Sequence, residues 1–254
     1  MIMFAGEILA VAAAVLTATQ APATPMPVPF QVGERAVYTV KYFLASGSAS
    51  LDVAGVDTVR GRHAYHFVFT FEGGVPGYHL RDTSQSWVDQ SDFRTLRFHQ
   101  DQVERGNTRK RRYEVFPERA MYTGDGGKTE RPSVANPLDD VSFIYFIRTQ
   151  TLKVGDTLEY HSYFKPESNP VRVAVLRREK GVETPAGKFD AIVVHPIIRT
   201  KGIFSEDGNA LMWLSDDPAH RVIQIKTKLS IFTATMQLKS YRASSASPET
   251  PGKK

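Results

Sequence analysis

The chain has 254 residues and contains no cysteine, so disulfide bridges and thiolate metal sites are excluded. Its 32 lysine and arginine residues outnumber its 27 acidic residues, and the formal net charge is +5. A modest positive charge with both signs mixed is compatible with loose attraction to anionic envelope polymers or lipid head groups, and does not define a partner.

The first two dozen residues predict export. An apolar run extends from residue 8 to residue 18, and Ala21-Pro22-Ala23 follows it with the pattern of a cleavage site. The run is too short to cross a hydrocarbon layer of about 30 Å. We therefore expect residues 1–23 to be a secretory signal peptide cleaved near Ala23, and the mature protein to be periplasmic or otherwise exported. The alternative is a buried N-terminal helix, which the proline-rich break from Thr24 to Pro29 disfavours.

Short stretches of alternating apolar and polar residues, typical of half-buried β-strands, make up most of the remaining chain. In the first half they are Ala36–Tyr42, Ser48–Val56, His63–Phe71, Leu80–Val88, Thr95–Val103, Arg109–Phe116 and Ala120–Thr123. In the second half they are Leu158–Phe164, Val171–Arg177, Phe189–Ile198, Ala210–Leu214, Val222–Lys228 and Phe232–Tyr241. The pattern predicts an all-β protein, an antiparallel meander that forms an open or a closed barrel.

One segment between the two halves has helical spacing instead. Asn136 is a capping residue type, Pro137 suits the first helical position, and Asp139 and Asp140 favour a helix N-terminus. Apolar residues then recur at helical intervals. We predict a helix from about Pro137 to Gln150 that lies across the sheet or plugs one mouth of it.

The two halves of the chain repeat one another. The segment Phe30–Tyr38 is matched by Leu152–Tyr160, and the only two tryptophans, Trp87 and Trp213, occupy corresponding places. The sequence therefore predicts one β domain built from two duplicated β modules. Its parts are module 1 at about 30–131, the linking helix at about 137–150 and module 2 at about 152–241, within a domain of 24–241 that is followed by a disordered tail at 243–254.

Four ordered motifs carry a resemblance to a known family. They are Pro29–Glu34, Pro137–Ser142 with Arg148, Glu183–Phe189 and Trp213–Asp217. Together they resemble the bacterial envelope family catalogued as domain of unknown function 3108, over about 29–238. The resemblance implies an exported, mostly β protein and brings no activity or catalytic residue with it. A looser similarity to the half-barrels of periplasmic lipoprotein carriers concerns the fold and not the function.

The sequence shows no catalytic or metal-binding constellation. His63 and His66 are three apart on a predicted strand, so they face opposite sides and do not share a metal. Asp216, Asp217 and His220 have the chemistry of acids, bases or metal ligands, but Asp before proline is typical of a hairpin turn. No nucleophile elbow and no phosphate-binding glycine loop is present. We therefore predict no catalytic residue, no metal and no cofactor.

An aromatic stripe is the first candidate binding feature. Tyr65, Phe67, Phe69 and Phe71 lie on one face of a predicted strand. The stripe either belongs to the core or lines a lipid-sized cavity in a barrel too wide to fill. With the two tryptophans, the predicted ligand-binding set is Tyr65, Phe67, Phe69, Phe71, Trp87 and Trp213.

A basic run is the second candidate feature. Arg109, Lys110, Arg111 and Arg112 are consecutive, so cations lie on both faces of this strand and it is expected at an edge or rim. One interpretation is protection of the sheet edge against pairing with another chain. The other is a site for anionic head groups or acidic glycans, with Arg109, Arg111 and Arg112 as the predicted anion-binding residues.

Three functions remain open. The preferred one is a non-catalytic binding or carrier module for an apolar or amphipathic envelope molecule. The second is a structural or interaction protein of the envelope that uses the basic rim. The third is a hydrolase acting on envelope material, which converging polar side chains with perturbed pKa values would favour. An amphipathic ligand and an anionic envelope surface are the candidate partners; nucleic acid and a transmembrane segment in the mature form are not expected.

Overall fold

Alternation along the chain produces a sheet that has fourteen β-strands within the described residues of the computed structural model. The structure describes residues 24–42, 45–75, 78–124, 126–199, 209–229 and 232–244. The predicted signal peptide and all but the first two residues of the predicted tail lie outside these ranges. The strands are β1 (Arg35–Tyr42), β2 (Ala45–Val59), β3 (Arg62–Val75), β4 (Tyr78–Asp89), β5 (Thr95–Glu104), β6 (Asn107–Phe116), β7 (Met121–Gly124), β8 (Arg131–Pro132), β9 (Thr157–Tyr160), β10 (Val171–Thr184), β11 (Gly187–Ile197), β12 (Leu211–Ser215), β13 (Val222–Leu229) and β14 (Phe232–Arg242).

The strands form one meander that is antiparallel throughout. Their order across the sheet is β8-β7-β6-β5-β4-β3-β2-β1-β14-β13-β12-β11-β10-β9, so the two modules meet where β1 pairs with β14. No pairing within the described residues joins the edge strands β8 and β9. Of the two architectures that the sequence left open, the protein has the open, barrel-like sheet.

The duplicated modules repeat one another down to single hydrogen bonds. Gly33 and Gly155 have positive φ values of 88° and 94°. The N–H of Gly33 donates to the carbonyl of Val53 at 2.8 Å, and the N–H of Gly155 donates to the carbonyl of Val175 at 2.9 Å. Glycine adopts this left-handed conformation without a steric penalty, which explains why both copies of the motif carry it.

The helix, α1, extends over Asp140–Arg148 and is shorter than the predicted span from about Pro137 to Gln150. Its N-cap is Asp139 and not Asn136: the Asp139 carboxylate accepts from the N–H groups of Val141 and Ser142 at 2.9 and 3.0 Å. Pro137 does not enter the helix because its carbonyl accepts from the N–H of Thr95 at 2.7 Å, outside any helical turn.

No helix in the described part of the chain has the length and apolar character needed to cross a membrane.

The helix packs on one face of the sheet, and aromatic side chains fill the space between them. The ring of Tyr145 stacks on the fully buried ring of Phe67, with 3.9 Å between the centroids. Phe30 packs edge-on against Tyr145 and Phe67, at 5.3 and 5.4 Å. Burial of each such ring contributes about 2–3 kcal/mol gross. We call this side of the sheet the helix-bearing face and the opposite side the outer face.

Candidate functional site

Strand register brings two of the predicted features onto the same face. Three successive cross-strand rows lie on the helix-bearing face of β3, β4, β5 and β6. They are Phe67–Ser86–Phe98–Tyr113, then Phe69–Ser84–Gln100–Arg111, then Phe71–Asp82–Gln102–Arg109. Phe69 and Phe71 therefore share a face with Arg111 and Arg109. We call the eight residues of the second and third rows the polar–aromatic surface.

The solvent exposure of the aromatic stripe changes along β3. Tyr65 and Phe67 are 7% and 0% exposed, and both belong to the core beneath the helix. Phe69 and Phe71 are only partly buried and pack against the margin of that core. The stripe is thus core at Tyr65 and Phe67 and partly exposed at Phe69 and Phe71, where a ligand-binding role stays a prediction. We call the partly exposed pair the aromatic wall.

A chain of polar contacts crosses the polar–aromatic surface. The carboxylate of Asp82, which is 8% exposed, accepts from the hydroxyl of Ser84 at 2.8 Å and from the amide of Gln100 at 2.7 Å. The carbonyl oxygen of Gln100 accepts from the guanidinium of Arg111 at 2.6 Å. Burial raises the pKa of Asp82, and the hydrogen bonds from Ser84 and Gln100 oppose that shift. The contacts link Arg111 on β6 through Gln100 to Asp82 on β4, on the face that carries Phe69 and Phe71.

A second perturbed carboxyl lies at the start of α1. Asp140 accepts a hydrogen bond from the hydroxyl of Tyr163 at 3.1 Å. Burial, and then the charge of Asp139, raise the pKa of Asp140 to about 6, while Tyr163 and Lys165 lower it and Asp82 adds to the rise. Asp140 therefore changes charge near neutral pH, in electrostatic contact with the polar–aromatic surface.

Replacing Asp140 with asparagine is expected to alter how the free energy of unfolding depends on pH. Because the folded-state pKa is raised, the wild-type group contributes stability that is complete below about pH 4 and is lost as pH rises through about 6. The asparagine variant has no such loss. We therefore expect its free energy of unfolding, relative to that of the wild type, to rise by about 1–3 kcal/mol between pH 4 and pH 7.5. Urea unfolding of both proteins across this range measures the difference, and a difference that is constant with pH would contradict the assignment.

The basic run is divided between the two faces. Arg109 and Lys110 are exposed, and neither has an ion-pair partner among the described residues. Arg112 lies on the outer face, where its guanidinium contacts the carboxylate of Asp101 at 2.5 Å. Of the predicted anion-binding residues, Arg109 and Arg111 therefore share the helix-bearing face with Phe69 and Phe71, three strands away from them.

The tryptophans lie away from the polar–aromatic surface. Trp87 belongs to the outer face, where its indole N–H donates to Asp57 at 2.7 Å and its ring stacks on His66 at 4.4 Å. Trp213 makes the corresponding bond in the second module, to Glu179 at 3.2 Å. Each tryptophan is tied to a carboxylate of its module's first long strand, which is a structural contact.

The Asp216, Asp217 and His220 group forms a turn. The carboxylate of Asp217 accepts from the N–H of Ala219 at 2.8 Å, and Asp216 pairs with Arg178 at 2.9 Å. A ring nitrogen of His220 lies 3.1 Å from the carbonyl of Arg148. Among the residues that the structure describes, no group of three His, Asp or Glu side chains is placed to hold a metal ion.

Comparison with known proteins places the chain in a family. A family model described as a protein of unknown function, DUF3108, matches residues 37–239. The chain belongs to the DUF3108 family. The resemblance carried by the four sequence motifs is thereby confirmed.

The fold of this DUF3108 protein was compared with solved structures. A β-barrel-like protein of domain of unknown function DUF1849 from Brucella abortus superposes with a TM-score of 0.59 at 9% identity, covering 85% of this chain and 99% of that one. A protein of Parabacteroides distasonis provisionally described as a lipoprotein gives a TM-score of 0.26 at 14% identity, covering 85% and 98%. No curated protein matches the sequence. The first similarity establishes a barrel-like fold and no activity.

Four members of the polar–aromatic surface in this DUF3108 chain were not among the predicted site residues: Asp82, Ser84, Gln100 and Gln102. Asp82, Gln100 and Gln102 lie at positions of β4 and β5 that face the same side as buried apolar residues. A polar residue at an inward position of an alternating strand is the signal that identifies them. Asp140 was assigned to the helix start alone, because its contact with Tyr163 is not visible from local spacing.

Proposed function

We propose that this protein is an exported, non-catalytic binding or carrier protein for an anionic amphipathic molecule of the cell envelope. The observation that supports this most is the common face of Phe69, Phe71, Arg109 and Arg111. An accessible aromatic wall and two cations on one face match a ligand that has an apolar part and a negatively charged head group.

The dimensions of the surface suit such a ligand. Phe71 and Arg109 are separated by three strand spacings, which is about 14 Å. Beyond Phe71 the same face continues into the row Gly47–Gly73–Leu80, in which two members have no side chain. The hydroxyl of Tyr42 and the ring of Phe71 occupy the space above Gly73, so an apolar chain would lie over Phe69 and Phe71, with its head group toward Arg109 and Arg111.

Export is part of the proposal and rests on the sequence. The apolar run before Ala21-Pro22-Ala23 has the composition of a signal peptide. An envelope amphipath is accessible to a protein secreted across the inner membrane.

The test measures binding of a short-chain phosphatidylglycerol, below its micelle concentration, to the chain from residue 24 onward. Replacing Arg109 with glutamate is expected to weaken binding about fivefold or more, because it puts a negative charge beside the head group. Lys110→Glu is the matched control, since it makes the same charge change on the next residue but on the outer face. We expect less than about a twofold effect from it. Equal losses in both variants would show non-specific attraction and contradict the proposal.

The apolar part is tested separately. Phe69→Gln and Phe71→Gln are chosen because these rings are partly exposed, whereas Phe67 is core and its replacement would unfold the protein. Each is expected to weaken phosphatidylglycerol binding by about tenfold, since a buried ring contributes about 1.5–3 kcal/mol. Native mass spectrometry of protein purified from a bacterial periplasm should show an adduct of lipid mass that these variants lose. A clean apo mass together with unchanged binding would argue against a carrier.

A further inference from the structure

Six of the ten residues of β6 form an edge of the sheet in the described part of the chain. On one side β6 pairs with β5, from Asn107 opposite Glu104 to Glu114 opposite Arg97. On its other side β7 pairs only with Tyr113–Phe116. No described strand lies beside Asn107–Arg112 on that side, and we call this segment the β6 edge.

The hairpin that leads into β6 determines which backbone groups of the β6 edge point outward. Arg105 and Gly106 form a two-residue turn with φ values of 50° and 79°, as a type I′ turn requires. In such a hairpin the flanking pair, Glu104 and Asn107, is hydrogen-bonded, and hydrogen-bonded pairs then alternate along an antiparallel ladder. The register has no bulge here, so Thr108 and Lys110 direct their N–H and C=O groups away from β5.

The charges of the β6 edge determine what can pair with it. Two copies of this segment side by side would bring lysine and arginine against lysine and arginine, which disfavours self-association. Lys110 is exposed on the outer face and Arg109 on the helix-bearing face, and neither has an ion-pair partner among the described residues. An incoming strand with carboxylates on both of its faces would match both cations.

We propose that the β6 edge is a docking site for an extended acidic segment of a partner protein, which adds to the sheet as a further strand beside Asn107–Arg112. Backbone hydrogen bonds to Thr108 and Lys110 provide the attachment, and the flanking cations select an acidic sequence. Arg109 is common to both proposed sites, but the attachment here uses the backbone edge and the outer-face charge of Lys110 and not the aromatic wall.

The experiment uses the chain from residue 24 onward and a short capped peptide in which pairs of adjacent glutamates alternate with pairs of threonines, so that carboxylates lie on both faces of the added strand. Lys110→Pro removes an outward N–H while sparing the ladder to β5, since proline is tolerated on edge strands. Lys110→Gln is the matched control, because it removes the same charge and keeps the N–H. We expect saturable binding by the wild type, a loss of about twofold to fivefold in the glutamine variant, and a loss of about tenfold or more in the proline variant.

Amide exchange provides the second readout. Addition of the peptide should slow exchange at Thr108 and Lys110, whose N–H groups point outward, with little change at Arg109 and Arg111, whose N–H groups are already bonded to β5. Equal affinities of the proline and glutamine variants, exchange unchanged at Thr108, or the absence of saturable binding would each overturn the proposal. Lys110→Pro should leave phosphatidylglycerol binding unchanged, which separates failure of this proposal from failure of the carrier function.

Discussion

Replacing Arg148 with alanine is expected to lower the free energy of unfolding by about 3–5 kcal/mol. The guanidinium donates to both carboxylate oxygens of Glu34, at 2.6 and 3.2 Å. The two side chains are only 4% and 6% exposed. Removing the cation leaves the carboxylate of Glu34 buried without its counter-charge, and that loss is larger than the net contribution of the pair itself.

The position of Arg148 adds to the expected effect. Its Nε donates to the carbonyl of Ala219 at 3.1 Å, and the hydroxyl of Tyr241 donates to Glu34 at 3.0 Å. The pair therefore joins the end of α1 to the first module, to β14 and to a turn of the second module. Loss of the guanidinium breaks contacts between segments that are distant in sequence.

Urea unfolding of the wild type and the variants measures this prediction. Arg178→Ala is the matched control, because it removes an exposed arginine that pairs with Asp216 at 2.9 Å, and exposed pairs contribute about 1 kcal/mol or less. A double variant, Glu34→Leu with Arg148→Met, should recover most of the loss, since it removes both charges together. If Arg148→Ala and Arg178→Ala lowered the free energy of unfolding equally, the prediction that the buried pair is important for stability would be contradicted.

Local signals in the sequence were sufficient for the fold class. The period of two along the strands predicts the meander, and Gly33 and Gly155 mark the repeated turn in both modules. The buried pair of Glu34 and Arg148 was not predictable, because its members lie 114 positions apart and nothing local to either residue indicates the other.

The candidate site needed strand register, which the sequence does not specify by itself. A slip of one residue in the pairing of β3 with β4 or β5 with β6 would move Arg111 to the opposite face from Phe69. Spacing within one strand correctly placed Tyr65, Phe67, Phe69 and Phe71 on one face. The spacing does not show which of these residues the helix covers. The helix covers Tyr65 and Phe67, which are core, and leaves Phe69 and Phe71 partly exposed.

The helix start shows two local signals in competition. Asn136 with Pro137 and Asp139 with Ser142 both have the residue types of a helix N-terminus. Tertiary contacts select the second, because Leu138 forms a parallel bridge with Tyr163 and is therefore extended. The predicted strand Leu158–Phe164 is affected too: β9 ends at Tyr160, and the N–H of Phe164 donates to the carbonyl of Leu138 at 2.9 Å.

Replacing Asp139 with alanine is expected to destabilise the protein by about 3–4 kcal/mol. Loss of an N-cap contributes about 1 kcal/mol. The fully buried carboxylate also accepts from the hydroxyls of Ser86 and Thr95, at 2.5 and 2.8 Å, and each buried donor left without an acceptor costs about 1–3 kcal/mol. Burial raises the pKa of Asp139, so the carboxylate carries a desolvation cost that its removal relieves, and the net loss is smaller than the sum of its contacts.

Asn136→Ala is the decisive comparison for this prediction, because Asn136 is exposed and lies three positions before the N-cap Asp139. If Asp139 is the cap, the Asn136 variant should change the free energy of unfolding by less than about 0.5 kcal/mol. Urea unfolding with circular dichroism as the probe measures both variants on the same scale. If Asn136→Ala lowered the free energy of unfolding strongly and Asp139→Ala lowered it only slightly, the helix would begin after Asn136, as local propensity alone predicts. The contacts of Pro137 and Leu138 argue against that, because their backbone groups are already bonded to Thr95 and to the segment from Ser162 to Phe164.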